Sequence, residues 1–450
     1  MSKEQLNTNP ARGMRDLLSS DVRRRDYVIS VIKQVYRKHG YEPLETPAVE
    51  NLETLMGKYG EESNQLIYKI MKRGEKLEEA AGTKDLADLA LRYDLTVPLA
   101  RVVANHKNDL PKFYKRYQIQ PVWRADKPGK GRYREFYQCD VDAIGSKSLL
   151  VEADVFSAIN EVLDTLGFTD FIIRLNHRQI LRGMLEASGI PETQGTDALT
   201  ALDKLDKIGE NGVLKEMRGR GISPSAAEKL MDVIKKIGTL ESNREILATL
   251  KEFVKENGFG RTGCGELEKL LEYSENLPVR LDPSLARGLS YYTGAIMEVE
   301  LTNKDFTGSI GGGGRYDELI GMFGKEQIPA CGFSLGLERI IFVMEERGMF
   351  PPELADSAAD VMVTVWSEES AAESLKLAGE LRQAGLRVMI YPDAGKLGKQ
   401  FKYAGQIDVP YVCVLGESEL AENKVTIKNM ESGGQETVAR NEAAAKISGK

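Results

Sequence analysis

Apolar positions recur at two spacings along this chain, and the changes between them mark its elements. Val28, Val31, Ile32, Val35 and Tyr36 fall at helical spacing, predicting a helix from about Asp21 to His39, with Ser20 as cap and Gly40 at the stop. YEPLETPAV (41–49) is extended and bounded by prolines, and 60–90 is polar, with GEKLEEAAGTKDLAD (74–88) as a surface turn. LALRYDLTVPLARVVAN (89–105) reads as a short strand entering a helix. In FYKRYQIQPVWRADKPGKGRYREFYQCDVD (113–142) the period falls to two, giving two strands around a polar turn, Ala125 to Gly131. One face of the first run carries Arg116, Gln118, Gln120, Val122 and Arg124; one face of the second carries Arg132, Arg134, Phe136, Gln138, Asp140 and Asp142.

A helix is expected over 150–166 and a strand at FIIRL (171–175). Residues 180–275 are charged, helical and poor in aromatics, the texture of an inserted helical region. Strand-like texture resumes at Val279, with LSYYTGAIMEVEL, GSIGGGGRYDELIG and ACGFSLGLERIIFVMEERG. MFPPELADSAA (349–359) reads as a linker. Beyond it, ADVMVTVW, a helix over 367–385, LRVMIYPD, a helix over 396–407 and PYVCVLG alternate, which predicts a small α/β domain with a largely parallel sheet. The tail ARNEAAAKISGK reads as a terminal helix that frays.

At 450 residues, 42% hydrophobic and 29% charged, the chain suits a soluble protein of two or three domains. A net charge of −7 argues against a general nucleic-acid coat while leaving room for a local basic face. Cys139, Cys264, Cys331 and Cys413 are far apart and read as free thiols in a reducing compartment. The first residues have no apolar signal-like core and no run of 18 apolar residues occurs, so a cytoplasmic protein without membrane attachment is expected.

The glycine-rich loop ending in Lys-Ser/Thr that cradles ATP phosphates is absent, so nucleotide binding would rest on arginines, which clamp phosphate bidentately. Arg124, Arg132, Arg134, Arg287 and Arg339 are the candidates, with Phe136 to stack on a base. The alternative, a salt-bridged arginine surface, is weakened because arginines outnumber acids on the hairpin face. Four consecutive glycines in SIGGGGRYD suit a tight turn or close backbone approach better than phosphate binding. Tyr291 and Tyr292 stand just before a strand and are expected to face opposite ways, one into the core and one toward a ligand. His39, His106 and His177 belong to no motif and read as structural or surface residues. Catalysis would therefore be electrostatic and positional, with scattered carboxylates able to hold Mg²⁺ against ATP phosphates. Lys396, Lys399 and Lys402 recur on one helix beside Phe401 and Tyr403; this is either a solvated face or a patch for RNA phosphates with aromatics for unstacked bases.

Taken together, ARGMRDLL (11–18), YEPLETP (41–47), LRYDLTVPLAR (91–101), the 113–142 hairpin, ARGLSYYTGAIME (286–298), GGRYDELI (313–320) and GFSLGLERI (332–340) resemble the histidyl-tRNA synthetases, a class II aminoacyl-tRNA synthetase family, over essentially the whole chain. The resemblance implies an α/β chain with an α+β core. Residues 1–345 would be the class II catalytic core, an antiparallel sheet with flanking helices interrupted by the 180–275 helical insertion; 346–358 would be a linker and 359–450 an α/β anticodon-binding domain. It implies ATP-dependent attachment of L-histidine to tRNA(His) through a histidyl-adenylate, by a homodimer whose interface involves 41–50.

It further implies a histidine site of Asp94, Leu95, Thr96, Arg124, Gln138, Asp142, Arg287, Tyr291, Tyr292 and Tyr316. Asp94, Thr96 and Gln138 would hold the α-amino group, and Asp142 and Tyr292 the two ring nitrogens. Arg124, Asp126, Arg132, Arg134, Phe136 and Arg339 would form the ATP site, with Mg²⁺ arriving on the phosphates and no certain protein ligand. Arg124, Arg287 and Gln138 would be catalytic. Ser290 stands where the family usually has Asp, which implies tuning around the tyrosines, and Asp126 replaces the usual Glu with a shorter reach. Two other readings are a non-catalytic regulatory paralogue and a plain nucleotide- or RNA-binding module. Retention of the arginines and of the Asp94, Asp142 and Tyr292 set argues against both.

Overall fold

The computed structural model describes residues 6–57, 64–82, 85–286, 291–303, 306–324, 326–355, 357 and 359–449. Arg287 and Ser290 therefore lie outside the described residues. The chain divides into two compact units, Met1–Phe350 and Pro351–Lys450.

In the first unit the helix Ser19–Lys38 buries the stripe Val28, Val31, Ile32, Val35 and Tyr36. Ser20 does not cap it. The helix starts at Ser19, two residues before the expected Asp21, and Asp21 reaches back to accept the N–H of Leu18 at 3.1 Å. The strands follow as β1 (Glu42–Pro43), β2 (Val49–Asn51), β3 (Lys69–Met71), β4 (Ala87–Leu91), β5 (Tyr114–Trp123), β6 (Glu135–Ile144), β7 (Phe171–His177), β8 (Val279–Leu281), β9 (Ala295–Leu301), β10 (Ser309–Arg315) and β11 (Ala330–Gly336). Among the described residues, eight form one sheet in the order β1-β5-β6-β11-β10-β9-β7-β8, and β2-β4-β3 form a smaller one. The large sheet is antiparallel through its middle; only the end pairs β1–β5 and β7–β8 are parallel. Helices Ser19–Lys38, Leu150–Thr165 and Leu337–Glu346 pack on it through one continuous apolar core.

The helical insertion leaves the sheet after β7 and returns at β8, with helices from Arg178–Ser188 to Gly258–Tyr273. Its first and last helices nearly touch: a Cβ at Gly183 would lie 2.8 Å from the Cα of Gly260. His177 caps the first, is fully buried, and holds the Glu266 carboxylate at 3.0 Å, a structural role. His39 pairs with Glu161 at 2.8 Å, and all four cysteines are buried free thiols.

The second unit continues with β12 (Val361–Val363), β13 (Val388–Ile390), β14 (Tyr411–Val414), β15 (Lys424–Asn429) and β16 (Gln435–Ala439), in the sheet order β13-β12-β14-β15-β16. The first three are parallel as expected, but β15 and β16 add antiparallel, so the sheet is mixed. Only Val425 and Ile427 of the added hairpin are buried, too short an apolar pattern to announce two strands. The tail helix Ala443–Ser448 docks through buried Ala443 and Ile447 and is not merely a fraying end.

Lys396, Lys399 and Lys402 are exposed along the helix Leu397–Gln406. Phe401 and Tyr403, however, pack onto the apolar core, with Lys428 Nζ 4.4 Å from the Phe401 ring centre and Tyr391 5.5 Å from Tyr403. They are not presented for base stacking; alternation of charge and ring along a helix does not put both on one face.

Candidate active site

The hairpin register delivers the face expected from alternation. Arg116 lies opposite Asp142, Gln118 opposite Asp140, Gln120 opposite Gln138 and Val122 opposite Phe136. The ordered strands end at Trp123 and restart at Glu135, so Arg124 to Arg134 form the connection, closed by the N–H of Arg124 on the Arg134 carbonyl at 2.9 Å. Alternation therefore fails for one of its arginines, Arg134. Arg132 lines a cavity of about 1170 Å³. Arg134 turns away: its Nε donates to the Asp126 carbonyl at 3.0 Å and its Nη1 to that of Arg12 at 3.4 Å, and its stem covers Gly13. It fastens the N-terminal segment to the hairpin and is not among the cavity's lining residues, contrary to its expected place on ATP.

Arg124 points into the cavity. Its Nε donates to the Tyr93 carbonyl at 2.9 Å, and the guanidinium sits 4.3 Å from the Tyr93 ring centre and 5.3 Å from that of Phe136. Asp126, Phe136 and Arg339 line the same space. Arg339 stands in the first turn of Leu337–Glu346 and donates to the Ser309 carbonyl. Its neighbour Glu338 accepts the Tyr137 N–H at 3.0 Å, and burial raises its pKa to about 7.

The deep end gathers Asp94, Thr96, Gln138, Asp140, Asp142, Tyr291, Tyr292 and Tyr316. Asp94 caps the helix Thr96–Asn105 by accepting the Val97 N–H at 3.0 Å, and the Tyr291 hydroxyl reaches its other oxygen at 3.4 Å. Leu95, expected at the ligand, is wholly buried and outside the cavity lining. Tyr316 donates to Asp142 Oδ1 at 2.5 Å. Gln138 Nε2 donates to Ser334 Oγ at 2.8 Å, and Arg124 reaches Gln138 Oε1 at 3.5 Å. Tyr291 and Tyr292 do not face opposite ways. They precede β9 in a turn, sit 4.9 Å apart and both line the cavity. Burial pushes Asp140 up to about 7 and raises Asp142, while the Arg116 charge draws both down.

The glycine tract is strand β10 and forms part of the cavity floor. A Cβ at Gly313 would lie 2.1 Å from the Gly332 carbonyl oxygen, and one at Gly332 would lie 1.8 Å from Asp142 Oδ1. This supports the shape role: only bare backbone leaves room for the aspartate. Arg116, Asp140, Ser334, Glu298 and Glu338 also belong to the site or support it, yet sequence reasoning gave them no role. Arg116 and Asp140 carried one usable signal, charges on the inward face of a strand pair.

An antiparallel sheet that holds arginines around a nucleotide-sized space, with buried carboxylates lining the same cavity, is the arrangement a class II aminoacyl-tRNA synthetase requires. Residues 13–340 match the profile described as Histidyl-tRNA synthetase, and 360–450 that described as Anticodon binding domain. The chain belongs to the histidyl-tRNA synthetase family. It is 42% identical to a histidine–tRNA ligase of Christiangramia forsetii, covering 94% of this chain and 95% of that one, and 44% identical to one of Porphyromonas gingivalis with the same coverage. The crystal structure of histidyl-tRNA synthetase from Nostoc sp. PCC 7120 superposes with a TM-score of 0.79 at 34% identity, covering 99% of each chain. A Bacillus halodurans structure described as an ATP phosphoribosyltransferase regulatory subunit/histidyl-tRNA synthetase shares the fold, with a TM-score of 0.73 at 22% identity, covering 92% of this chain and 100% of that one.

Proposed function

We propose that this chain attaches L-histidine to tRNA(His) in an ATP-dependent reaction through a histidyl-adenylate. The observation that carries the reading is one cavity whose mouth is lined by Arg124, Arg132 and Arg339 and whose deep end is closed by the Tyr316–Asp142 pair. Asp94, Thr96 and Gln138 would receive the α-amino group. Asp142 and Tyr292 would address the ring nitrogens, and an amino acid without that ring would leave these buried groups unpaired. Phe136 would stack under adenine, Arg132 would meet ATP, and Arg339 would meet the γ-phosphate. Arg124, with Arg287 from outside the described residues, would steady charge as the histidine carboxylate attacks the α-phosphorus. A carboxylate–phosphorus bond forms and pyrophosphate leaves; the terminal ribose hydroxyl of the tRNA then attacks the acyl carbon and AMP leaves. Mg²⁺ bound to the phosphates would neutralise their charge. Glu298 on the cavity wall fits such an ion, which needs only one or two protein carboxylates.

Anticodon recognition by 359–450, a homodimer and a cytoplasmic location are parts of the same reading. Among the described residues no helix is long and apolar enough to cross a membrane. Pyrophosphate–ATP exchange, run with each amino acid, tests the reading. Exchange is expected with histidine alone. Nucleotide binding without histidine-dependent exchange would sink the proposal in favour of a regulatory protein.

A further inference from the structure

We infer that Arg116 is a positioning residue, whose guanidinium holds Asp142 and the Asp94–Thr96 corner in register and so sets the pocket's affinity for histidine. This rests on the reading that Asp142 meets the substrate ring. Arg116 is 0% exposed and does not line the cavity, whereas Asp94, Asp140 and Asp142 do. Its place opposite Asp142 on the neighbouring strand brings Nη2 within 2.9 Å of Asp142 Oδ2 and 3.8 Å of Asp140 Oδ2. The same nitrogen reaches the Leu95 carbonyl at 3.5 Å, behind the residues expected to hold the α-amino group. One buried cation thus spans the ring end and the amino end of the pocket.

Stability alone does not explain it. Among the described residues Arg116 Nε and Nη1 have no hydrogen-bond partner, and a buried guanidinium left so costs more than an apolar side chain of similar volume. What it does is offset two buried carboxylates on the adjacent strand. Oδ1 of Asp142 accepts from Tyr316, while Oδ2 accepts no hydrogen bond and lies 2.9 Å from Arg116 Nη2 as an ion pair, so the cation holds the carboxylate by charge. The other titratable groups around Asp142 are Asp140, Tyr36, Tyr316 and Cys331; burial raises the last three well above their ordinary values, so they stay neutral. Without Arg116, Asp142 would hold its proton to higher pH and would turn into a donor toward the ring.

Exchange kinetics of the full-length chain test this, with histidine and ATP varied separately between pH 6.5 and 8.5. Arg116→Met should raise the histidine KM roughly tenfold or more, in line with the cost of leaving a buried carboxylate without its cation, and leave the ATP KM within about twofold. The variant-to-wild-type ratio of histidine KM should shrink as pH rises and Asp142 ionises; the ratio cancels the substrate's own titration. Arg116→Lys should fall between the two. An unchanged histidine KM, an equal rise for histidine and ATP, or a pH-independent ratio would overturn the inference. If the Met variant shows no cooperative melt, Arg116→Gln is judged by the same criteria. Absence of exchange in the wild type removes the functional reading itself, and this inference with it.

Discussion

The site's chemistry comes down to which single atoms are left no alternative. Tyr316 and Asp142, both almost wholly buried, meet at 2.5 Å, and a hydrogen bond to a buried charge is worth about 1.5–3 kcal/mol. Tyr316→Phe should therefore raise the histidine KM roughly tenfold or more with little change for ATP, as separate titrations in the exchange assay would show. Glu338 offers a pH test. Burial lifts its pKa from 4.5 to about 7, so the folded chain keeps a proton that the unfolded chain releases near pH 4.5. Glu338's own contribution to stability must fall as pH rises across that window and level off above it. Urea unfolding of Glu338→Gln should show the variant gaining on the wild type by up to about 3 kcal/mol between pH 4.5 and 8. At this scale the hairpin face was legible because period-two alternation held wherever the strands are regular. Arg134 and the two tyrosines were not, because each lies in a turn, where side-chain direction follows local hydrogen bonds and no fixed period.

Elements here are placed by close approach as much as by apolar stripes. The first and last insertion helices cross where Gly183 meets Gly260, and a branched side chain has no room there. Gly183→Val should destabilise the chain by about 1–3 kcal/mol, the usual cost of overpacking, read as a lower thermal midpoint. The helices themselves were readable, since stripes such as Val28, Val31, Ile32, Val35 and Tyr36 bury as their spacing requires. The β15–β16 hairpin was not. Its edge strand QETVA has no buried residue, and its turn, Glu431 to Gly434, was the one signal that could have revealed it. Helix caps were equally hard to foresee: Ser20 looked like a cap, yet Asp21 does that work from inside the helix.

For the molecule as a whole, the division at Phe350 separates independent cores. Residues 351–450 bury two apolar clusters of their own, one around Val361, Leu377 and Val425 and one around Met362, Ala404 and Val412. Expressed alone, this unit should melt cooperatively, and residues 1–350 should retain histidine-dependent exchange while losing most tRNA charging. A fragment 351–450 that stays unfolded by circular dichroism would contradict the first expectation. The boundary was visible as a Pro-rich stretch. Asp142 and Tyr316 were brought into one site only by the family resemblance, and the approach of Gly332 to Asp142 was not visible at all, because sequence spacing says nothing about which of eight strands become neighbours. The bare strand β10 also bears on how this chain can diverge. Glycine is the one residue without a Cβ, so every missense change at Gly313 or Gly332 drives a carbon into a backbone or carboxylate oxygen about 2 Å away. Variation will collect on exposed faces such as that of Lys396, Lys399 and Lys402, while these two positions act as fixed points around which the rest of the lineage's sequence can drift.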